Sequence, residues 1–217
     1  MDINILNTKN SVLNNYLAEI RNKQIQTDPL RFRRNIERIG EMMAYEVSKT
    51  LHYAPCNVET PLATATVQLP TDKLVVGTIL RAGLPMHNGL LSVFDHAESC
   101  FISAFRKYTS NDEFEIALQY VATPSLEGKV LMLCDPMLAT GMSLGKTYEA
   151  LKKFGVPKHT HILSVIGSEN GVAYLNDMLK DEPVSLWVAA VDKELNSHKY
   201  IVPGLGDAGD LAFGEKL

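Results

Sequence analysis

The sequence predicts an α/β fold, with a mainly parallel twisted sheet flanked by helices. Three observations carry this. Short apolar runs of strand length recur, at Lys73–Leu80 (KLVVGTIL), Val130–Cys134 and Ser185–Val191. Amphipathic stretches with apolar residues three and four apart lie between such runs, the alternation expected of βαβ units. The length of 217 residues with 46% apolar content suits one compact domain with a sizeable core.

Along the chain, residues 1–30 are mixed and Asn-rich, with a short helix predicted around Val12–Ile20 that stops before Asp28-Pro29. From Arg33, the positions Ile36, Ile39, Met43, Val47 and Leu51 form one helical face. Pro55 and Pro61 punctuate the next stretch, and Ala63–Leu69 alternates as a strand. The strand Lys73–Leu80 is closed by Arg81-Ala82-Gly83, followed by a helix through Met86–Phe94 and a strand at Ser99–Phe105. Residues 106–121 begin polar and become strand-like, which predicts a hairpin or flap leaving the main sheet. After the strand Val130–Cys134 comes a helix with Leu144, Tyr148, Leu151 and Phe154 on one face, ended by Gly155 and Pro157. A strand at Thr160–Ile166, a helix capped by Ser168, and the strand Ser185–Val191 complete the regular pattern. The Gly-rich run Tyr200–Asp210 is too irregular for a long element.

Composition excludes several roles. Twenty-one Lys plus Arg against 25 acidic residues give a formal net charge of −4, which does not favour nucleic acid or anionic lipid as a partner. No apolar run approaches the roughly 18 residues of a membrane span. The opening MDINILNTKN lacks a basic region leading into an apolar stretch. Cys56, Cys100 and Cys134 form no CxxC pair and read as buried thiols in a reducing compartment, so a cytoplasmic protein is expected. His159 and His161 share a strand face, but the six histidines show no metal-ligand spacing.

Ligands of parallel sheets bind beyond the strand C-termini, and three unusual segments fall there: the loops after Leu80, Cys134 and Val191. In the loop after Cys134, backbone N–H groups from Ala139 to Ser143, the hydroxyls of Thr140 and Ser143, and a helix N-terminus suit a phosphate. Gly141 permits close approach. Gly141–Thr147 imitates a Walker A loop, but only three residues separate Gly141 from Gly145 where four are needed. Asp135, held extended before Pro136, can receive a sugar diol or hydrated Mg²⁺, or accept hydrogen bonds from its own loop. Arg81, at a strand end, suits an anionic ligand. Arg106 reads as an exposed arginine beside Lys107, and Arg31, Arg33, Arg34 and Arg38 as a solvated helix face or subunit contact.

Asp135–Ser143 (DPMLATGMS) resembles the phosphoribosyl-diphosphate (PRPP) loop of uracil phosphoribosyltransferases. Ile79–Leu84 (ILRAGL) and Tyr200–Asp210 (YIVPGLGDAGD) are similar to two further segments of that family, and the likeness runs over roughly residues 32–217. The resemblance implies a type I phosphoribosyltransferase-like fold with a flap and a C-terminal base-binding hood. It also implies a single domain over 1–217, with a divergent segment at 1–30, a flap at 106–121 and a uracil-binding segment at 192–217.

The implied reaction transfers the phosphoribosyl group of PRPP to N1 of uracil, giving UMP and diphosphate, with Mg²⁺ carried largely by PRPP. Implied PRPP residues are Arg81, Arg106, Asp135, Pro136, Met137, Leu138, Ala139, Thr140, Gly141, Met142, Ser143 and Asp207. Implied uracil residues are Ile201, Gly206, Asp207 and Ala208, and Arg81 and Asp207 stand nearest the chemistry. A homodimer or higher homo-oligomer and a GTP effector follow from the same likeness. Met142, Lys107, Lys199 and Leu211 depart from the family pattern. Asp207 can position PRPP or assist N1 deprotonation, Asp210 reads as a turn acceptor, Tyr200 as a wall of the base site or a packed aromatic, and Asp192 as a site contact or a turn acceptor. A site for another base, or an RNA-binding regulator on the same scaffold, are the competing readings.

Overall fold

The computed structural model describes the backbone of residues 1–110 and 113–216, and their side chains outside 104–118. The chain opens with a short strand, β1 (Asp2–Ile5), then α1 (Leu13–Arg21) and α2 (Pro29–Ser48). The long helix begins four residues before Arg33. Asp28 caps it by accepting from the N–H groups of Leu30 (3.0 Å) and Arg31 (3.2 Å), and Pro29 sits where a missing N–H costs nothing. Apolar periodicity is blind to that first turn because its Leu30 is exposed.

Next come β2 (Tyr53–Glu59) and β3 (Thr64–Pro70), an antiparallel hairpin separate from the main sheet. Only the second of these strands is visible in the sequence. Pro55 argues against a strand, yet on a two-stranded ribbon it is tolerated. Cys56 lies exposed on this hairpin, which corrects the expectation of three buried thiols; Cys100 and Cys134 are buried.

The rest follows the βα alternation: β4 (Leu74–Ile79), α3 (Leu84–Leu91), β5 (Glu98–Ser110), β6 (Glu113–Ala122), β7 (Val130–Cys134), β8 (Met137–Leu138), α4 (Met142–Leu151), β9 (His159–Ser168), α5 (Glu169–Met178), β10 (Val184–Asp192), β11 (Glu194–Leu195), β12 (Ile201–Val202) and α6 (Ala208–Phe213). The main sheet has the order β1-β10-β9-β7-β4-β5-β6, with β8 paired to β9. All its pairings are parallel except β5 with β6, so the predicted hairpin extends the sheet by one antiparallel edge. Residues 2–5 read in the sequence as part of a mixed segment with no predicted strand. They form the sheet's other edge beside β10.

Successive residues of β7 face opposite sides. Val130, Met132 and Cys134 join the cluster under α1, α2, α3 and α6, while Leu131 and Leu133 join the cluster under α4 and α5. With both faces covered, the strand is apolar throughout. No helix among the described residues is long and apolar enough to cross a membrane.

The order of the central strands decides where a ligand can lie. From β4 the chain crosses through α3 to β5 on one side, and from β7 it crosses through α4 to β9 on the other. Neighbouring strands whose connections diverge leave a crevice beyond their C-terminal ends. The loops bearing Arg81 and Asp135 flank that crevice.

Candidate active site

A cavity of about 330 Å³ occupies the crevice, lined by residues of all three loops singled out in the sequence. The loop after β4 contributes Arg81, reached through a cis Leu80–Arg81 peptide. One guanidinium nitrogen donates to Asp210 Oδ1 (3.2 Å) and to the Gly214 carbonyl (3.0 Å), while the buried Nε has no partner among the described residues. Asp210, in the first turn of α6, therefore orients Arg81, a role its sequence reading as a turn acceptor does not reveal. Gly83 is required here. A Cβ would lie 2.3 Å from Thr78 Oγ1 and 2.8 Å from the Ile79 carbonyl, so only glycine lets α3 start against β4.

The loop after β7 is pinned along β9. The Asp135 N–H donates to the Leu163 carbonyl (3.1 Å), and the Asp135 carbonyl accepts from Ser164 Oγ (2.7 Å). The Pro136 carbonyl accepts from the N–H groups of Val165 and Ile166. Farther along, Ser168 Oγ donates to the Ala139 carbonyl (2.5 Å) and accepts from the Gly171 N–H (2.9 Å), so the cap of α5 also holds the loop. Gly141 has φ +76°, and a Cβ there would meet the Gly171 carbonyl at 2.8 Å. These contacts present the loop's backbone and the start of α4 to the cavity. Because α4 begins at Met142, Gly145 and Lys146 are helical, and the Walker-like spelling forms no phosphate loop.

At the cavity floor, Asp135 Oδ1 accepts the Met137 N–H (3.2 Å). Burial pushes the Asp135 carboxyl up to about 6. The Met137 N–H opposes that shift, and the negative charge of Asp207 adds to it. Asp207 caps α6 by accepting the Asp210 N–H (2.9 Å). Two carboxylates thus repel one another across the cavity, an arrangement a divalent cation relieves. No group of three or more His, Cys, Asp or Glu able to hold a metal exists among the described residues. The donor set therefore fits an ion that arrives with an oxygen-rich ligand.

Of the residues predicted for the site, Arg81, Asp135, Met137, Leu138, Ala139, Thr140, Gly141, Ser143, Ile201, Gly206, Asp207 and Ala208 line the cavity. Pro136 and Met142 do not. Pro136 is buried and turned to β9 by its carbonyl, and Met142 opens α4. Arg106 belongs to the β5–β6 hairpin, and its side chain lies outside the described residues.

Tyr200 is 46% exposed and lines the cavity, which favours the wall over the packed aromatic. Asp192 does not line it. Lys199 and Lys216 also line the cavity, beyond the residues the sequence predicts for the site. Lys199 adopts φ +65°, a left-handed conformation that only the folded turn reveals. Lys216 reaches the cavity because the chain after α6 runs back past Arg81, as the Arg81–Gly214 bond records, and no local pattern encodes that return.

The sequence profile of uracil phosphoribosyltransferases matches residues 7–215. A protein of that name from Porphyromonas gingivalis is 50% identical over the whole of both chains. The chain belongs to the uracil phosphoribosyltransferase family. A further relative of that name, from Pyrococcus furiosus, is 38% identical over 93% of this chain and 85% of its own. Among solved structures, the AQ2163 protein of Aquifex aeolicus matches with a TM-score of 0.85 over 99% of each chain at 27% identity. A hypoxanthine phosphoribosyltransferase from Staphylococcus aureus shares the fold over 74% of each chain, with a TM-score of 0.51 and 15% identity. The uracil phosphoribosyltransferase family accounts for the cavity's unusual combination of an anion-suited loop, a strand-end arginine and a Gly-rich polar segment.

Proposed function

We infer that this cleft transfers the phosphoribosyl group of PRPP to N1 of uracil, inverting C1′ and releasing UMP and diphosphate, a step of pyrimidine salvage. The observation that supports this most directly is the meeting of three segments, distant in sequence, around one cavity at the sheet's switch point.

The 5′-phosphate is assigned to the loop Ala139–Ser143. Its backbone N–H groups and the Thr140 and Ser143 hydroxyls can donate to phosphate oxygens, and the α4 dipole favours their charge. Asp135 sits on the strand side of that loop, where ribose hydroxyls fall within reach. The leaving diphosphate is assigned to Arg81, whose forked donors suit paired oxyanions. Its bonds to Asp210 and Gly214 hold it ready at the rim. Arg106, on the hairpin, is proposed to close over the same phosphates.

Charge develops on the diphosphate as C1′ becomes cationic, so donors fixed before the reaction contribute most of the stabilisation. Asp135 and Asp207 would hold, on the protein side, a Mg²⁺ that arrives with PRPP, and that ion would supply Lewis-acid neutralisation of the charge. Asp207 is primarily a positioning group for PRPP. Its capping bond to the Asp210 N–H holds the carboxylate in a single orientation.

Uracil offers O2 and O4 as acceptors and N3–H as a donor. Backbone groups around Ile201 and Gly206–Ala208 are assigned to read it, with Tyr200 beside them. A backbone N–H at O4 would confront the amino group of cytosine donor to donor, costing about 1–3 kcal/mol. A homo-oligomeric state, a GTP effector and a cytoplasmic location are proposed on family likeness.

The deciding experiment mixes the protein with PRPP, Mg²⁺ and each nucleobase in turn and measures nucleotide and diphosphate released. Uracil should be used at least about tenfold better than cytosine. Equal turnover of the two, or preference for a purine, would overturn the base assignment.

A further inference from the structure

Residues 1–30 contribute nothing to the cavity lining, yet they hold the segment that does. Arg21 is the last residue of α1. Its guanidinium forks onto Asp192 at the end of β10, with Nη1 to Oδ2 at 2.7 Å and Nη2 to Oδ1 at 2.9 Å. The same Nη1 donates to the Gly204 carbonyl (2.9 Å), and Asp192 Oδ2 accepts the Gly204 N–H (2.9 Å). Both backbone polar groups of Gly204 are thereby tied to one ion pair.

The pair is largely buried, with side-chain exposures of 24% for Arg21 and 9% for Asp192. Gly204 itself allows no substitute. It has φ +55°, and a Cβ would lie 2.1 Å from the Ile201 carbonyl. One residue on, the Leu205 carbonyl accepts from Gln26 Nε2 (3.0 Å), and Gln26 also bonds the Ile20 carbonyl (2.7 Å). The polypeptide from Ile201 to Asp207 thus crosses the cavity wall with its middle clamped to α1 and the α1–α2 connection.

We propose that Arg21, with Asp192 and Gln26, is a positioning device for the pyrimidine: it sets the backbone of residues 204–206 at the spacing that reads uracil, without touching either substrate, while Asp207 is held separately by its capping bond to the Asp210 N–H. The proposal rests on the assignment of uracil to this segment. A backbone reader has no side-chain rotamers to adjust, so its selectivity depends on where the main chain is held. Bidentate arginine–carboxylate pairing supplies both direction and distance, and lysine cannot reproduce the fork.

The test is steady-state kinetics of full-length Arg21→Ala and Arg21→Lys with each substrate varied separately, alongside thermal melts. For Arg21→Ala, KM for uracil should rise about tenfold or more and preference over cytosine should shrink, while KM for PRPP stays within about twofold. Added guanidinium ion at millimolar concentration should restore part of the uracil KM, and Arg21→Lys should fall between the alanine variant and the wild type.

A role in stability alone predicts lower melting temperature and a smaller active fraction with both KM values unchanged, and that outcome overturns the proposal. If Arg21→Ala does not fold, Arg21→Lys and Gln26→Ala decide it by the same asymmetry between the two KM values. Wild-type protein that makes no UMP would refute the reaction itself; normal wild-type turnover with an unaltered uracil KM in the variants would refute only the clamp.

Discussion

Asp135 carries an electrostatic cost that the folded chain bears before any ligand arrives. Its carboxyl moves from 3.8 up to about 6, because burial and the facing Asp207 disfavour the ionised form. Two pH units correspond to a ceiling of about 3 kcal/mol. Solvent at the open side of the cavity screens part of this, leaving about 1–2 kcal/mol. Asp135→Asn removes the charge while keeping an oxygen to accept the Met137 N–H.

The ligand-free variant should therefore melt above the wild type at pH 8, by about 2–8 °C for a chain of this size. The sign follows from linkage. The folded pKa lies above the unfolded one, so the cost is absent where both states are protonated, builds as pH rises from the unfolded to the folded pKa, and is complete above the folded pKa. The variant's advantage should be absent below about pH 4, grow between about pH 4 and 6, and level off above. Calorimetric melts at four or five pH values without PRPP measure it. Adding PRPP with Mg²⁺ should reverse the order, because only the wild type keeps the ligand carboxylate, and kcat/KM for PRPP should fall at least about 100-fold. A variant less stable than wild type at pH 8, or an advantage independent of pH, would refute the account of why Asp135 is shifted. Retention of kcat/KM for PRPP within about threefold would remove Asp135 from the ligand site.

Arg81→Ala should lower kcat/KM by about 100-fold or more with little change in melting temperature, since its bonds to Asp210 and Gly214 lie near the surface; activity within about threefold of wild type would sink the diphosphate assignment. Gly171→Ala places a Cβ 2.4 Å from the Ala139 carbonyl and 2.8 Å from that of Leu138. Neither backbone atom can yield freely, so about 1–3 kcal/mol of stability should be lost. KM for PRPP should rise more than KM for uracil, which parallel substrate titrations would detect. In the wild type, protonating Asp135 should weaken PRPP binding as pH falls below about 6, and a kcat/KM for PRPP that stays flat down to pH 5 would contradict this.

Much of the fold is legible along the chain because it rests on neighbours in sequence. β7 shows itself as an unbroken apolar run, since both faces of a central parallel strand are covered. The stop at Gly155, with φ +116°, which ends the 3₁₀ turn Lys152–Phe154 continuing α4, and the Ser168 cap are likewise local chemistry. The loop Asp135–Ser143 and Arg81 could be marked as anion-binding from residue types and spacing, while the run from Ile201 to Asp207 was marked through its resemblance to the family segment. β1 and β2 were invisible for local reasons: one is a four-residue edge strand, and the other contains a proline.

What the sequence determined by itself was most of the central strands and the helices between them, and which loops carry anion-binding chemistry. Folding alone decided that the loops after β4 and β7 face one crevice, that Asp210 steadies Arg81, and that Asp207 raises the pKa of Asp135. It alone joined Arg21 to Asp192 across 171 positions. Periodicity, capping and turn chemistry act over a few residues and leave their mark in local order. Contacts between distant segments depend on how strands are ordered in the sheet, and that order emerges only when the whole core packs.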